Sequence, residues 1–369
     1  MSWQETDRKK DRDAVRDILT KFRRQRDGEM VTTDVVRNIL EKGWDKHVLF
    51  PATPPVKIES HSALTTIRAF TQGEAKAGGV EDRVLEVSWT PLKRPVQYFW
   101  SVQDFVKGLI GALRGHQFLT HLGILHRDVS ESNMVLAIFP SNPRGYIMDF
   151  DMAVTYGKEQ HPDKQLCIPE DILSSLDTMR GPTSSGRGPY RAARTGTTPY
   201  TSLRVLSGSW DHSHFDDIES FFYVLLLFFS SYRGPLPAHQ LFEAHKRSFT
   251  VDPTAPRLPH IAPWPPRFQN WAESATEAPS SKHSLMTRDL CLSVMATIRQ
   301  AVSERWGSES EPVIMKLVED SLKLFHDSPR QVHHEQFIQV LDQWLEQYPI
   351  PEEGQNSCPF KDANGEQAV

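Results

Sequence analysis

Two polar motifs, each set at the end of an apolar run, limit what this chain can fold into more than any other feature. The first is LHRDVSESN, Leu125–Asn133, and the second is MDFD, Met148–Asp151. Between them Met134–Phe139 is an apolar run of strand length, Pro140–Gly145 reads PSNPRG with turn chemistry, and Tyr146–Met148 is a second short run. The spacing predicts a hairpin that returns Asn133 and Asp149 to the same end of adjacent strands. Two ligands of one metal ion stand in that relation. Taken singly, Asp128 and Asn133 would be turn residues, because both types bond their own backbone. That reading leaves MDFD without a role.

The flanking segments set the frame. Ser101-Val-Gln-Asp104 resembles a capping box with Asp in place of Glu, opening a helix through Leu122 that Gly123 ends. Phe105, Leu109, Ala112 and Leu113 give that helix its apolar face. The longest apolar run, Phe221–Phe229, is far too short for a membrane span and reads as a helix buried on all sides. Residues 285–305, 312–326 and 332–347 read as amphipathic helices, the last with Phe337, Val340, Leu341 and Trp344 on one stripe. Pro253–Pro266 is a connector, and the polar tail from Pro351 is expected to be disordered.

Upstream, residues 5–27 are densely charged, with Val15, Ile18, Leu19 and Phe22 at helical spacing. His47–Ile58 and Asp82–Trp89 suggest strands, with Val87–Leu92 connecting them to the helical part of the chain. At 369 residues the chain can bury a sizeable core. A net charge of −5, from 42 basic and 47 acidic residues, argues against non-specific nucleic-acid binding as a main role. Cys167, Cys291 and Cys358 form neither a disulfide framework nor a metal spacing, which suits a reducing compartment. With no signal peptide or membrane span in the sequence, the expectation is a soluble intracellular protein, cytoplasmic or nuclear, with no nucleic-acid or membrane partner. Its oligomeric state is not legible.

The motifs carry residue types that phosphoryl transfer uses. That reaction needs a terminal phosphate held in line with a hydroxyl and its spread charge neutralised. Asp128 is suited to orient a hydroxyl or accept its proton. Asn133 offers an amide oxygen and Asp149 a carboxylate, a donor pair that fits Mg2+ shared with nucleotide phosphates.

LHRDVSESN, MDFDMAV, GTTPYTSLRVL (Gly196–Leu206) and HFDDIESFFYVLLLF (His214–Phe228) together resemble the fungal-type protein kinase family, over roughly residues 80–345 and weakly before. The resemblance implies an α+β, protein kinase-like two-lobed fold with a reduced small lobe and a mainly helical large lobe. It implies ATP and Mg2+ as cofactors and a protein substrate. It makes Asp128 the catalytic base, with Arg127 beside it, and Asn133 and Asp149 the Mg2+ ligands. Thr197 becomes the substrate-loop threonine bonded to Asp128, as in serine/threonine kinases. Ser130 stands where most protein kinases carry a lysine that touches the transferred phosphate. Asp217 would be a buried aspartate bonding the backbone of the catalytic loop, or else a simple helix N-cap.

Some features depart from the wider kinase pattern. Asp151 replaces a glycine, and Arg204 replaces the glutamate that closes the activation segment, a change with no evident place in the pattern. No glycine-rich phosphate loop precedes residue 80, where Gly78-Gly79 is a lone pair, and no Val-Ala-Ile-Lys-like strand precedes a helix. In the resembled family that lysine lies just before Ser-Trp, and this chain begins Met1-Ser2-Trp3. The expectation is that the chain starts just after its nucleotide-binding lysine, with Lys57 in PPVKI the one stand-in. Asp13 or Asp17 would pair with that lysine or simply face solvent.

Thr155–Thr195 reads as an enlarged activation segment. Arg180, Arg187, Arg191 and Arg194 make it either a docking patch near Arg127 or a disordered basic loop. His212 and His214 would suit a metal site but read better as the family's turn before the Asp217 helix. The expected division is 1–89 as a partial small lobe, 90–348 as the large lobe and 349–369 as the tail. The expected activity is serine/threonine phosphorylation. The alternatives are a catalytically impaired pseudokinase acting as a binding module and a small-molecule phosphotransferase.

Overall fold

Short apolar stripes in the upstream part lean on a much larger helical body. The computed structural model describes residues 14–19, 41–49, 56–57, 86–87, 90, 92–138, 144–155, 196–208, 212–235, 258–274 and 276–349. A helical stretch over 14–19 buries Ala14, Val15, Ile18 and Leu19 in the main core, as the spacing predicts. Phe22 and Asp13 lie outside the described residues. Trp44–His47 forms a 3-10 turn. His47 was expected to open a strand. Instead Gly43, at φ 66°, turns the chain so that Trp44 is buried against the helical body. Val48 then bridges Ile147 in parallel, and β1 (Val56–Lys57) pairs antiparallel with β2 (Glu86–Val87). Of Lys57 only the backbone, opposite Glu86, is described.

β3 (Arg94–Pro95) opens the larger body and leads into α1 (Val102–His121). Ser101 caps α1 by accepting the Asp104 N–H at 3.0 Å. The box is half closed, because Asp104 instead accepts the Trp100 N–H and binds the guanidinium groups of Arg94 and Arg144. Arg94 is fully buried and also donates to the Ala137 carbonyl, so one cation staples β3, the start of α1 and the hairpin ahead of it in the chain.

After β4 (Ile124–Leu125) that hairpin consists of β5 (Met134–Leu136) and β6 (Gly145–Ile147), paired antiparallel with Met134 opposite Ile147. β5 is shorter than its apolar run, because only its first three residues pair with β6 in the ladder. The hairpin packs against α1 closely enough that a Cβ on Gly111 would sit 2.5 Å from the Gly145 carbonyl oxygen. One on Gly115 would sit 2.6 Å from the carbonyl of His47. The glycines Gly108, Gly111 and Gly115 are thus the contact stripe, beside the apolar face read from the sequence. β7 (Val154–Thr155) pairs with β4, which closes the loop carrying MDFD back onto the start of LHRDVSESN.

α2 (Leu203–Leu206) is a single turn, and α3 (His214–Ser231) is the central helix. Every residue from Ser220 through Ser231 is buried, as the uninterrupted apolar run requires. Around it pack α4 (Pro266–Glu273), α5 (Glu277–Met286), α6 (Leu292–Trp306), α7 (Glu311–Asp327) and α8 (His334–Gln347). The expected single helix over 285–305 is broken between α5 and α6. Ala278, Lys282 and Leu285 form the buried stripe of α5, and at helical spacing it would continue through Asp289 and Leu292. The stripe of α6 runs instead through Val294, Ile298 and Val302, leaving Leu292 77% exposed. No single straight helix could bury both stripes. The last two helices fall close to the predicted bounds.

Candidate active site

α1 delivers the chain into β4, and LHRDVSESN then turns sharply with Arg127 at φ 67°. A non-glycine residue in that region is strained and persists only where its surroundings hold it. What holds it is Asp217, fully buried in the first turn of α3. Its carboxylate accepts the His126 N–H at 3.1 Å and the Arg127 N–H at 3.1 and 3.3 Å. His116 Nε2 lies 3.0 Å and His212 Nε2 2.8 Å from the same group. Burial alone would push the Asp217 carboxyl up, but the two histidines outweigh it and hold it well below its usual range. The N-cap of α3 is Ser213, whose hydroxyl and N–H engage Asp216. Asp217 is therefore an anchor for the loop and not a cap.

His126 faces inward. Its Nδ1 accepts the Asp128 N–H at 3.3 Å and its Nε2 lies 3.0 Å from the Met148 carbonyl, a pairing that needs the neutral ring with the proton on Nε2. Burial lowers the His126 pKa in the same sense. The Phe150 ring meets it edge-on with centroids 5.5 Å apart. One imidazole therefore joins the two motifs.

Asp128 projects from this frame. Its Oδ1 accepts both the N–H of Thr197 at 2.8 Å and the Thr197 hydroxyl at 2.9 Å. Asn133 Nδ2 donates to the Asp128 carbonyl at 2.8 Å and to Oδ2 at 3.2 Å, which turns the amide oxygen of Asn133 away from Asp128. The Met148 N–H bonds the Asn133 carbonyl at 3.0 Å across the hairpin mouth, so Asp149 comes directly beside Asn133. Asp149 is exposed, at φ 65°, and its Oδ1 accepts the Asp151 N–H at 3.2 Å. A carboxylate and an amide oxygen at one hairpin mouth fit a hard divalent cation in donor type.

Asp128, Asn133 and Thr197 are thus joined by hydrogen bonds, Asp149 follows the Met148 that pairs with Asn133, and Arg127 before Asp128 is buried. Ser130 is buried, and its hydroxyl lies 2.9 Å from that of Ser132. Arg180, Arg187, Arg191 and Arg194 lie outside the described residues.

Several residues with a part in the site escaped the sequence reading. Arg204 binds both oxygens of Asp216 through the Nε–Nη2 edge of its guanidinium, and Ser202 donates to the same carboxylate at 2.8 Å. This gives Arg204 the place it lacked, with the Asp-Asp doublet as the available signal. Tyr232 donates to Glu131, whose pKa burial pushes up to about 6. His116 bonds Asp217 on one side, and its Nδ1 lies 2.7 Å from Nε2 of His334 on α8. No motif marks His116 or His334.

Among the described residues no helix is long and apolar enough to cross a membrane. The family described as fungal protein kinase matches residues 2–229, more than half of the 369-residue chain. A search of curated proteins finds no match.

Proposed function

This chain belongs to the fungal protein kinase family, and on that premise we propose that it transfers the terminal phosphate of ATP to serine or threonine hydroxyls of a protein substrate. The observation that carries this reading is the double hydrogen bond from Thr197 to Asp128 Oδ1. It leaves Oδ2, shared among the described residues only with Asn133 Nδ2, as the oxygen that would meet an incoming hydroxyl. Asp128 would orient that hydroxyl and take its proton as the bond to phosphorus forms. Thr197 narrows the floor beside Asp128, which favours the short serine and threonine side chains over tyrosine. Asn133 through its amide oxygen and Asp149 through its carboxylate would hold Mg2+, which when bound with ATP neutralises phosphate charge. Ser130 would donate its hydroxyl to the phosphate while accepting from that of Ser132. Arg127 would set the catalytic loop against Gly196, whose Cβ position lies 3.2 Å from the Arg127 carbonyl.

The test is phosphate transfer to a serine/threonine peptide mixture alongside ATP-binding calorimetry. Asp128→Asn should lower turnover about a thousandfold or more and leave ATP affinity within a fewfold, because Asp128 faces the acceptor and not the nucleotide. Asp149→Ala should weaken both. Nucleotide binding by the wild type with no transfer to any peptide would favour a binding module of the same fold.

A further inference from the structure

Lys282, on α5, is fully buried and reaches across to the loop that carries Thr197. Its Nζ donates to the carbonyl oxygens of Pro199 at 2.8 Å and Thr201 at 2.6 Å. It also lies 3.9 Å from the centroid of the Tyr223 ring and 5.0 Å from that of Trp271. Carbonyl oxygens and aromatic faces all present negative charge to it, so these four neighbours form a socket for an ammonium. Glu219 stands on the other side of the same turn. Its Oε1 accepts the Leu203 N–H at 2.7 Å and the Tyr223 hydroxyl at 2.7 Å. Burying a cation is costly, and a methionine would fill much the same volume without that cost. Packing alone therefore does not explain a lysine here.

The two carbonyls that Lys282 grips lie within a chain of bonds ending at Asp128. The Thr197 carbonyl accepts the Tyr200 N–H at 2.9 Å and the Thr201 hydroxyl at 3.3 Å. Fixing Pro199 and Thr201 therefore fixes Thr197, whose own N–H and hydroxyl hold Asp128. Glu219 fixes the next residues down the chain. Asn133 also bonds Asp128, but the Met148 N–H pairs with the Asn133 carbonyl at the hairpin mouth, so neither Asn133 nor Asp149 depends on this turn.

We propose that Lys282 is a positioning residue for phosphate transfer, holding the Thr197–Leu203 turn, with Glu219, so that Thr197 stays on Asp128. The proposal rests on reading Asp128 and Thr197 as the acceptor site. Burial pushes the Lys282 pKa well below the usual lysine range while Glu219 pulls it back up, and the two N–H donors that hold Pro199 and Thr201 are present on the amine as on the ammonium.

The experiment is hydrogen exchange of Lys282→Met against the wild type, and then transfer kinetics on both. Amides within 196–206 should exchange at least tenfold faster in the variant, while those of α7 change less than twofold. In the kinetics, the acceptor KM should rise or kcat fall about tenfold or more, with the KM for ATP unchanged and partial recovery in Lys282→Arg. Unchanged exchange in 196–206, or an equal rise across α7, would overturn the proposal, as would a KM for ATP that rises with that for the acceptor. Should Lys282→Met not fold, Glu219→Gln reads the same turn. Exchange in 196–206 at least threefold faster than in α7 supports the proposal, and equal exchange overturns it. If the wild type transfers no phosphate, the kinase reading fails, while the exchange data still decide whether Lys282 holds the turn.

Discussion

Asp216 and Asp217 are neighbours in the first turn of α3, yet they hold different loops by different means. Asp217 binds the catalytic loop through backbone N–H groups of His126 and Arg127, with two histidines filling the rest of its carboxylate. Asp216 binds the substrate loop through side chains, namely Arg204 and Ser202. Both carboxylates are buried, but Arg204 is 26% exposed on its side of the pair. The amide-bound anchor tolerates almost any side chain on the loop it holds and fixes a strained backbone. The side-chain anchor depends on particular partners and sits partly in water. The two loops meeting at Asp128 should therefore differ in how firmly they are held.

The largest expected effect comes from Asp217. Replacing it by Asn leaves two buried N–H donors and two imidazoles facing an amide that cannot accept from them all. We expect a loss of about 3–5 kcal/mol, measured by urea unfolding. Its pH dependence has a definite sign. The native pKa is held below the unfolded value of about 4, so this stability is complete above that pH and is lost as pH falls through the lowered native pKa. The gap between wild type and variant should close only in strong acid. An equal loss in Asp216→Asn would break the contrast between the two anchors.

A middle-sized effect tests the side-chain anchor itself. In a double-mutant cycle of Arg204→Met and Asp216→Asn, we expect a coupling of about 1–2 kcal/mol. Burial pushes the Asp216 carboxyl up, but the Arg204 hydrogen bond leads the contributions that hold it low, so part of this coupling should disappear in acid. The exposed Arg299–Glu319 pair on α6 and α7 should couple by less than about 0.5 kcal/mol. A cycle at Arg204 no larger than that would mean the Arg204 pair adds nothing to holding the 196–206 segment, leaving Lys282, Glu219 and the Ser202 bond to Asp216 to do so.

The contrast also explains what was legible in the sequence. Asp128, Asn133 and Asp149 stand in two short contiguous motifs joined by a hairpin, so local spacing suffices to bring them together. The buried run of α3 was equally plain, because no solvent-facing residue interrupts it. Lys282 could not be read this way. It lies far along the chain from Pro199 and Thr201, within an α5 stripe that otherwise looks like ordinary core. The break between α5 and α6 was hidden for a related reason: no glycine or proline marks it, only a shift in which residues face inward. Arg94 looked like any surface arginine, although it is among the largest fully buried side chains.

The smallest expected effect concerns the far end of α3, where Tyr232 ties the catalytic loop down a second time through Glu131. This attachment carries a standing cost. Burial raises the Glu131 pKa to about 6 from an ordinary 4.5, so the folded state disfavours the carboxylate. For a raised acid the sign is the reverse of Asp217. The cost is absent below about pH 4.5, grows as pH rises through the native pKa, and is complete above it. A shift of that size corresponds to about 1–2 kcal/mol. Glu131→Gln keeps an oxygen for the Tyr232 hydroxyl and has no proton to lose. It should therefore be more stable than the wild type by about that amount at pH 8, with the difference fading towards pH 4.5. His126 and His334 pull the other way, since burial holds both neutral and their contribution is lost as pH falls below about 6.5. They are common to both proteins, so the difference between the two unfolding curves isolates Glu131. A difference that stays constant from pH 8 to pH 4.5 would show that Glu131 titrates normally. The catalytic loop would then be held firmly at the Asp217 end of α3 and at that end alone.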